Sequence, residues 1–453
     1  MHTASPSDAK SVGRNRLGSF ARPKTGSARE RRIIAILQSA WRGPALSIRI
    51  ENRSYAIGQG PVAAEMVVQR SATFLKLWRN PVLLFGEAYT RGELHIAGSL
   101  ASFLEAVYLS KPEELSSSLR RSISWLRCLP TRVSPQRAAG NARHHYNIGN
   151  DFFRLWLDPS LTYSCAYFLR DSDSLATAQR QKLELLCQKA RLAPGQTLLD
   201  VGCGWGSLLV HAARFHGVRA TGITPVEAQA DYIEALARRE GVADRVHVRR
   251  IGWRAIEGKF DRIISVGMFE HVGLKQYRHF FRRWRELLAD GGLSVLHCIG
   301  RMKPTHVDPW IIKYIFPGGY LPTLAQLAAF SSEANLSVLD VENLRQHYAR
   351  TLDCWMANFK TVFNRVAETR GPEFARMWWL YLNGAYAGFR WGDLQLWQVV
   401  FAKDENHRWP LNRQVDIPDH HADEQPTFVR HVDQDPPSRL APAEVTKAVA
   451  RKA

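Results

Sequence analysis

The stretch Thr197–Gly206, TLLDVGCGWG, decides how this chain folds. Leu198–Val201 reads as a short apolar strand, and glycines follow at alternate positions, Gly202, Gly204 and Gly206. Glycine tolerates positive φ and lets a ligand lie against bare main chain. Ser207–Phe215 then reads as a helix whose free N-terminal N–H groups face back toward the turn. Strand, glycine turn and helix together make a nucleotide-binding corner. The spacing is G-x-G-x-G, not the G-x-G-x-x-G of dinucleotide enzymes, and so points toward S-adenosylmethionine, which has no pyrophosphate. A tight strand-to-helix turn without a ligand carries the same signature, so the flanking chain must decide.

Downstream, strands are predicted at Arg219–Ile223, Val246–Arg250, Arg262–Val266 and Leu293–Cys298. Helices are predicted between them at Pro225–Glu240, with proline in the first turn, and at Lys275–Leu288. Upstream, Ser174–Ala190 reads as an amphipathic helix. This alternation predicts an α/β fold, a doubly wound and mostly parallel sheet with ligands at the C-terminal ends of the strands. Arg301–Phe401 reads as helical and aromatic, and its aromatic residues are expected to form core against the sheet. Residues 33–130 read as a small α+β unit, with helices at Arg32–Ser39, Ala72–Arg79 and Leu100–Leu109 and strands at Ala45–Glu51 and Glu65–Val68. Within it, FGEAYTRGELHIAG (Phe85–Gly98) has a helical start and a glycine-bounded strand. The expected organisation is a disordered basic arm at 1–32, this small domain at 33–130, a linker at 131–143, the main domain at 144–403 and a polar tail at 404–453.

Charge narrows the partners. Sixty-one Lys and Arg against 42 Asp and Glu give the 453-residue chain a net charge of +19. That excess suits a polyanion, either nucleic acid or an anionic membrane surface. Cysteines 128, 165, 187, 203, 298 and 354 form no CxxC pair and no regular framework, which predicts free thiols in a reducing compartment and no metal site. No run of about 18 apolar residues exists to span a bilayer, and the start has no apolar signal-peptide core.

Further motifs carry a resemblance. LLDVGCGWG, Thr224–Gln229 (TPVEAQ) and Phe260–Gly273 (FDRIISVGMFEHVG) occur in order with HYNIGNDFF, LTYSCAYF, LHCIG, DPWIIKYIFPGGYLP and YLNGAYAGFRWGDLQLWQVVF. Together, from His144 to Phe401, they resemble the cyclopropane fatty acid synthases. FGEAYTRGELHIAG is similar to the smaller N-terminal domain that the longer bacterial members use to engage lipid. The resemblance implies a class I methyltransferase fold with a helical acyl-chain cap. It also implies methyl transfer from S-adenosylmethionine to the cis double bond of a phospholipid acyl chain. Cofactor contacts would come from Tyr163, Ser164, Asp200, Gly202, Gly204, Gly206, Thr224, Gln229, Gly252 and Trp253. Many class I enzymes place a carboxylate on the ribose where this chain has Thr224, and Gln229 is the expected substitute. Bound bicarbonate would be the base, held by Cys165, Glu270, His297, the Ile299 main chain and Tyr348. The resemblance further implies a homodimer in the cytoplasm, peripheral to the inner face of the membrane.

Such chemistry makes these demands. An alkene is a poor nucleophile but the sulfonium methyl is strongly electrophilic, so alignment matters more than activation. The resulting carbocation needs shielding from water and stabilisation by aromatic faces or carboxylate. A proton must then leave for the ring to close. Taken singly, Cys165, Glu270, His297 and Tyr348 each also suit a packing or capping role. Where many relatives have Cys in YLNxC, this chain has Ala385, and relatives of the same architecture make methylene- or methyl-branched chains, so the product stays open. A nucleic-acid methyltransferase is the weaker alternative. Enzymes that methylate amino nitrogens place Asn/Asp-Pro-Pro-aromatic after the fourth strand, where this chain has Met268–Phe269–Glu270–His271. No nucleic-acid partner is therefore expected. A lipid-binding protein that kept the fold without the chemistry is a third reading, which the full set of glycines and pocket residues argues against.

Overall fold

The computed structural model describes residues 26–110, 148–403 and 409. The expected arm up to residue 25, residues 111–130 of the small domain, the linker at 131–143 and all of the tail at 404–453 except Trp409 lie outside the described residues, as do residue 144 and residues 145–147 of the HYNIGNDFF motif.

The first sheet comprises β1 (Pro44–Ile50), β2 (Arg53–Ile57), β3 (Gln59–Val68) and β4 (Leu94–Gly98) in the order β2-β1-β3-β4. β1 and β3 are parallel, and the other two pairs antiparallel. Helix α1 (Ala28–Ala40) begins before the expected Arg32, because the Ser27 hydroxyl accepts from the Glu30 N–H and caps it. Residues 28–32 are therefore helix, not arm. Glu30 is fully buried and accepts from Tyr55, Ser71 and both ends of the Arg53 fork, which fixes α1 against β2 and the start of α2 (Ser71–Leu77). Two further helices, α3 (Pro81–Thr90) and α4 (Leu100–Leu109), flank β4.

The main sheet has seven strands: β5 (Thr197–Val201), β6 (Arg219–Ile223), β7 (Val246–Arg249), β8 (Phe260–Val266), β9 (Leu288–Arg301), β10 (Ser337–Asn343) and β11 (Leu394–Ala402). Their order is β10-β11-β9-β8-β5-β6-β7, parallel from β7 to β9, with β11 antiparallel to both of its neighbours. The helices of the doubly wound part are α6 (Leu175–Lys189), α7 (Ser207–His216), α8 (Glu227–Arg239) and α9 (Tyr277–Leu287), after a short α5 (Asn150–Arg154). Then come α10 (Pro309–Tyr314), α11 (Leu324–Glu333), α12 (Arg345–Arg370) and α13 (Pro372–Arg390).

Residues 301–401 are thus not all helical, contrary to expectation: β10 and β11 complete the sheet. β11 is buried on both faces, so its sequence lacks the polar alternation that marks a half-exposed strand. The α12–α13 pair shares one apolar core with the first sheet, joining Trp355, Phe359 and Trp378 to Ile48, Tyr89, Leu94 and Leu100. Polar ties reinforce it. Lys313 and Tyr314 donate to Glu87 at 2.6 and 3.0 Å, and Arg376 donates to the Thr90 carbonyl at 2.8 Å. Gly86 lets α3 meet α10 closely, since a Cβ there would lie 2.4 Å from Trp310. Among the described residues, no helix is long and apolar enough to cross a membrane.

Candidate active site

The turn between β5 and α7 holds Gly202, Gly204 and Gly206 at φ of +84°, +52° and +82°, conformations that side chains with a Cβ rarely adopt. Their surroundings differ. Gly202 and Gly204 line a cavity, as do Tyr163, Ser164, Asp200, Thr224, Gln229, Gly252 and Trp253. Gly206 is not among the lining residues. It backs onto α8, where a Cβ would meet Ile233 at 2.6 Å, so its glycine serves close helix packing rather than ligand approach. In the buried wall of the cavity, Thr224 donates to the Gln229 amide oxygen at 2.7 Å, which holds that amide by its acceptor end.

Sequence reasoning missed Lys182. It lies on the apolar face of α6, buried, lining the cavity and donating to the Ser164 hydroxyl at 3.1 Å. Burial pushes its ammonium down to about 8, against the pull of Asp158, Cys165 and Asp200. Burial likewise pushes Asp200 up to about 7, with Lys182 acting in the opposite sense, and Asp200 Oδ1 has no partner. The available signal was a lysine in helical register with Ala178, Leu185 and Leu186, where an amphipathic surface helix would place an apolar residue. His271 also lines the cavity, its imidazole pushed down to about 4 by burial.

A second group of polar atoms lies where β8 and β9 end. β8 pairs with β9 only as far as Val266 opposite His297. Beyond that, the Ile299 N–H is free of the ladder and donates to Glu270 Oε1 at 2.7 Å from the 3₁₀ turn Phe269–His271. The Ile299 main chain therefore holds Glu270, a use of it that the sequence did not anticipate. Glu270 Oε2 is buried without a partner, and burial pushes the carboxyl up to about 7 despite the Ile299 N–H.

His297 is oriented from β11. The Lys189 ammonium, a donor only, gives a 2.7 Å bond to Gln398 Oε1, so the amide nitrogen is the end that faces His297 Nδ1 at 3.0 Å. Nδ1 must then accept, and the proton of the neutral imidazole sits on Nε2. Burial drives His297 well below the ordinary imidazole range, and Lys182 and Lys189 add to this. Nε2 is buried without a partner, so His297 offers an N–H rather than a base.

Cys165 and Tyr348 form a neighbouring pair around Leu344. The fully buried Cys165 thiol, its pKa raised by burial, contacts the carbonyls of Ala166 at 3.1 Å and Leu344 at 3.9 Å. Tyr348, in the first turn of α12, donates its N–H to Leu344 and packs its ring 4.5 Å from Phe389. The Ile299 side chain packs against the apolar cluster that also holds Cys165 and Tyr348. Ala385 packs against that cluster too.

Residues 133–399, more than half of the chain, match the family described as Mycolic acid cyclopropane synthetase. The chain is 36% identical over 352 residues to the cyclopropane-fatty-acyl-phospholipid synthase of Escherichia coli (strain K12), covering 76% of this chain and 89% of that protein. It is 32% identical over 403 residues to a probable fatty acid methyltransferase of Pseudomonas putida, covering 84% and 99%. The solved structure of mycolic acid cyclopropane synthase CmaA1 complexed with SAH and CTAB matches with a TM-score of 0.57 at 35% identity, over 60% of this chain and 99% of that one. Coclaurine N-methyltransferase, at 22% identity and a TM-score of 0.54, shares the fold. With its mostly parallel seven-stranded sheet of the class I S-adenosylmethionine-dependent type, the chain belongs to the mycolic acid cyclopropane synthetase family.

Proposed function

We propose that this S-adenosylmethionine-dependent methyltransferase adds its one-carbon unit to the cis double bond of an unsaturated acyl chain in a membrane phospholipid, forming a cyclopropane ring with bicarbonate as proton acceptor. The observation that carries the reading is the pair of buried, unpartnered polar atoms, Glu270 Oε2 and His297 Nε2, which lie where the β8–β9 pairing ends. Buried polar atoms without partners call for one. An N–H donor and a carboxyl near its midpoint suit a small anion that both accepts and donates hydrogen bonds. When bound, S-adenosylmethionine supplies an electrophilic methyl group and bicarbonate a base for the departing proton.

The chain's own residues do the rest. Gly202 and Gly204 offer bare main chain to the donor, Gln229 an amide for its ribose, and Lys182 a counter-charge for its carboxylate. Asp200, Tyr163, Ser164, Thr224, Gly252 and Trp253 complete that wall. Glu270 and His297 hold the proton acceptor, with Cys165, Tyr348 and Ile299 closing the apolar side. In this reading the packed rings of Tyr163 and Trp355, 5.2 Å apart, and of Tyr348 and Phe389 would exclude water and stabilise developing positive charge. In this reading α12 and α13 cap the acyl chain, and the small domain at 33–130 engages lipid beside the main domain at 144–403. The +19 charge then draws a cytoplasmic enzyme, a homodimer by family analogy, to anionic headgroups on the inner membrane face.

The test is expression in bacteria that lack cyclopropane lipids, followed by mass spectrometry of their fatty acids. Each modified monounsaturated chain should gain one CH₂, and fragmentation should show a ring; methylene or methyl branches would replace the product assignment. Absence of any modified lipid with the donor supplied would overturn the reading. Binding to anionic vesicles should weaken with salt, and equal affinity for neutral vesicles would remove the role given to charge.

A further inference from the structure

One cluster of ligating side chains lies apart from the residues assigned to the reaction. Where α6 packs on α7, the apolar contact of Leu183, Leu186, Leu208, Leu209, Ala212 and Ala213 is interrupted by Cys187, His211 and His216. Cys187 is fully buried, His211 nearly so, and His216 sits partly exposed at the last turn of α7, before Gly217 reverses the chain at φ +64°. One sulfur and one ring nitrogen from each histidine lie within 4.8 Å of one another. A fourth group joins them: Glu184, one helical turn before Cys187, places Oε2 3.0 Å from Nε2 of both histidines.

We propose that Cys187, His211 and His216, with Glu184 as a fourth or outer ligand, form a structural site for a borderline divalent transition ion, zinc above all. Thiolate, two imidazoles and a carboxylate are the donor set that tetrahedral zinc takes. Hard cations such as magnesium and calcium require oxygen ligands, which this cluster mostly lacks. Ligand bonds of about 2.0–2.3 Å put tetrahedral donors roughly 3.3–3.8 Å apart, so the three atoms need to close by about 1 Å. His216 has room for that adjustment at the helix end. On binding, the Cys187 thiol releases its proton and the sulfur forms the bond to the metal; no electron is transferred. The ion would clamp α6, which carries Lys182 into the donor cavity and Lys189 toward His297, to α7, which starts at the glycine turn. This inference does not depend on the proposed reaction. It replaces the expectation, from cysteine spacing alone, that the chain has no metal site: the four residues are two helical pairs separated by a strand, and no CxxC or HxxxH spacing marks them.

The untagged full-length chain, stripped with a chelator, would be titrated with Co²⁺ and followed by absorption. One equivalent should bind, giving tetrahedral d–d bands and a near-ultraviolet thiolate-to-cobalt charge-transfer band that Zn²⁺ abolishes by displacement. Cys187→Ser should lose the charge-transfer band while retaining native circular dichroism. His216→Gln, at the exposed edge, covers the case in which the buried variant fails to fold, and should weaken Zn²⁺ binding by more than about tenfold. Zn²⁺ should also raise the Tm of the stripped chain. Two results would overturn the site: no stoichiometric Co²⁺ or Zn²⁺ binding to the stripped chain, or a metal spectrum and affinity unchanged in Cys187→Ser and His216→Gln. In the first case, Glu184 is only a carboxylate shared by two imidazoles.

Discussion

In Glu270→Gln the amide oxygen retains the 2.7 Å bond from the Ile299 N–H, so the turn after β8 keeps its tie to β9. What the substitution removes is a titrating group. Burial moves the folded-state pKa of Glu270 from 4.5 to about 7, a change worth about 3 kcal/mol. The sign follows from proton counting. Below the unfolded value both states are protonated and the carboxyl contributes no pH-dependent penalty. Between about 4.5 and 7 the unfolded chain releases its proton first, so stability falls as pH rises, and above about 7 the loss is complete. Glutamine has no such titration, and any cost of burying its amide group is the same at every pH. Urea unfolding of wild type and variant from about pH 4 to 8 should therefore show the variant gaining, relative to wild type, up to about 3 kcal/mol across that window. Over the same series turnover should fall by about 100-fold or more, with the affinity for S-adenosylmethionine nearly unchanged. A stability difference that stays flat with pH would refute the buried-carboxyl account, and undiminished turnover would refute the role of Glu270 in the reaction.

Five other substitutions, at four positions, probe separate parts of the structure. Gln398→Leu removes the donor to His297 Nδ1 and the acceptor of Lys189; kcat should drop about tenfold or more with donor affinity retained, and ¹⁵N spectra should show the His297 tautomers mixing. Gln398→Glu, an acceptor at that position, should instead move the imidazole proton to Nδ1; an unchanged tautomer would contradict the chain of donors from Lys189. Lys182→Met should weaken S-adenosylmethionine binding by about tenfold in calorimetry, near 1.4 kcal/mol, and equal affinity would remove Lys182 from the donor site. Gly86→Ala places a Cβ 2.4 Å from Trp310 and should destabilise by about 1–3 kcal/mol. Gly384→Ala, in α13 with open space around it, should stabilise by about 0.5–1 kcal/mol. Similar melting shifts in both glycine variants would undermine the close-approach explanation.

The parallel half of the sheet is readable from residues 198–298 because each apolar run there is short, bounded by glycine or charge, and followed by a helical period. β11 escapes that reading for a physical reason: it is a central antiparallel strand buried on both faces, and LQLWQVVFA continues the aromatic character of α13. β2 and the outer half of β3 are missed in the opposite way, since Gln59–Ala63 are exposed and carry no apolar stripe. Of the site, the glycine turn and the strand-end residues Glu270 and His297 are marked by motifs. Lys182, Lys189 and Gln398 are not, because a buried polar side chain on an apolar face becomes meaningful only when its partner is known, and those partners lie 18 to 209 residues away in the sequence. Gly206 shows the converse. A motif glycine can be demanded by a neighbouring helix, here through Ile233, rather than by a ligand.

The position of β11 between β9 and β10 has a consequence for how the chain reaches its native state. Gln398 is 101 residues from His297 and 209 from Lys189, so these contacts close very long loops. During synthesis from the N-terminus, β5 to β9 emerge before the strand that covers the open side of β9. Until residues 394–402 insert, the 14-residue β9 presents an unpaired apolar edge, and His297 lacks the amide that sets its tautomer. Late closure of this kind slows folding and leaves a sticky intermediate. It also leaves His297 without its Gln398 partner in any incomplete chain, so an interrupted product would carry an intact glycine turn and yet lack that contact.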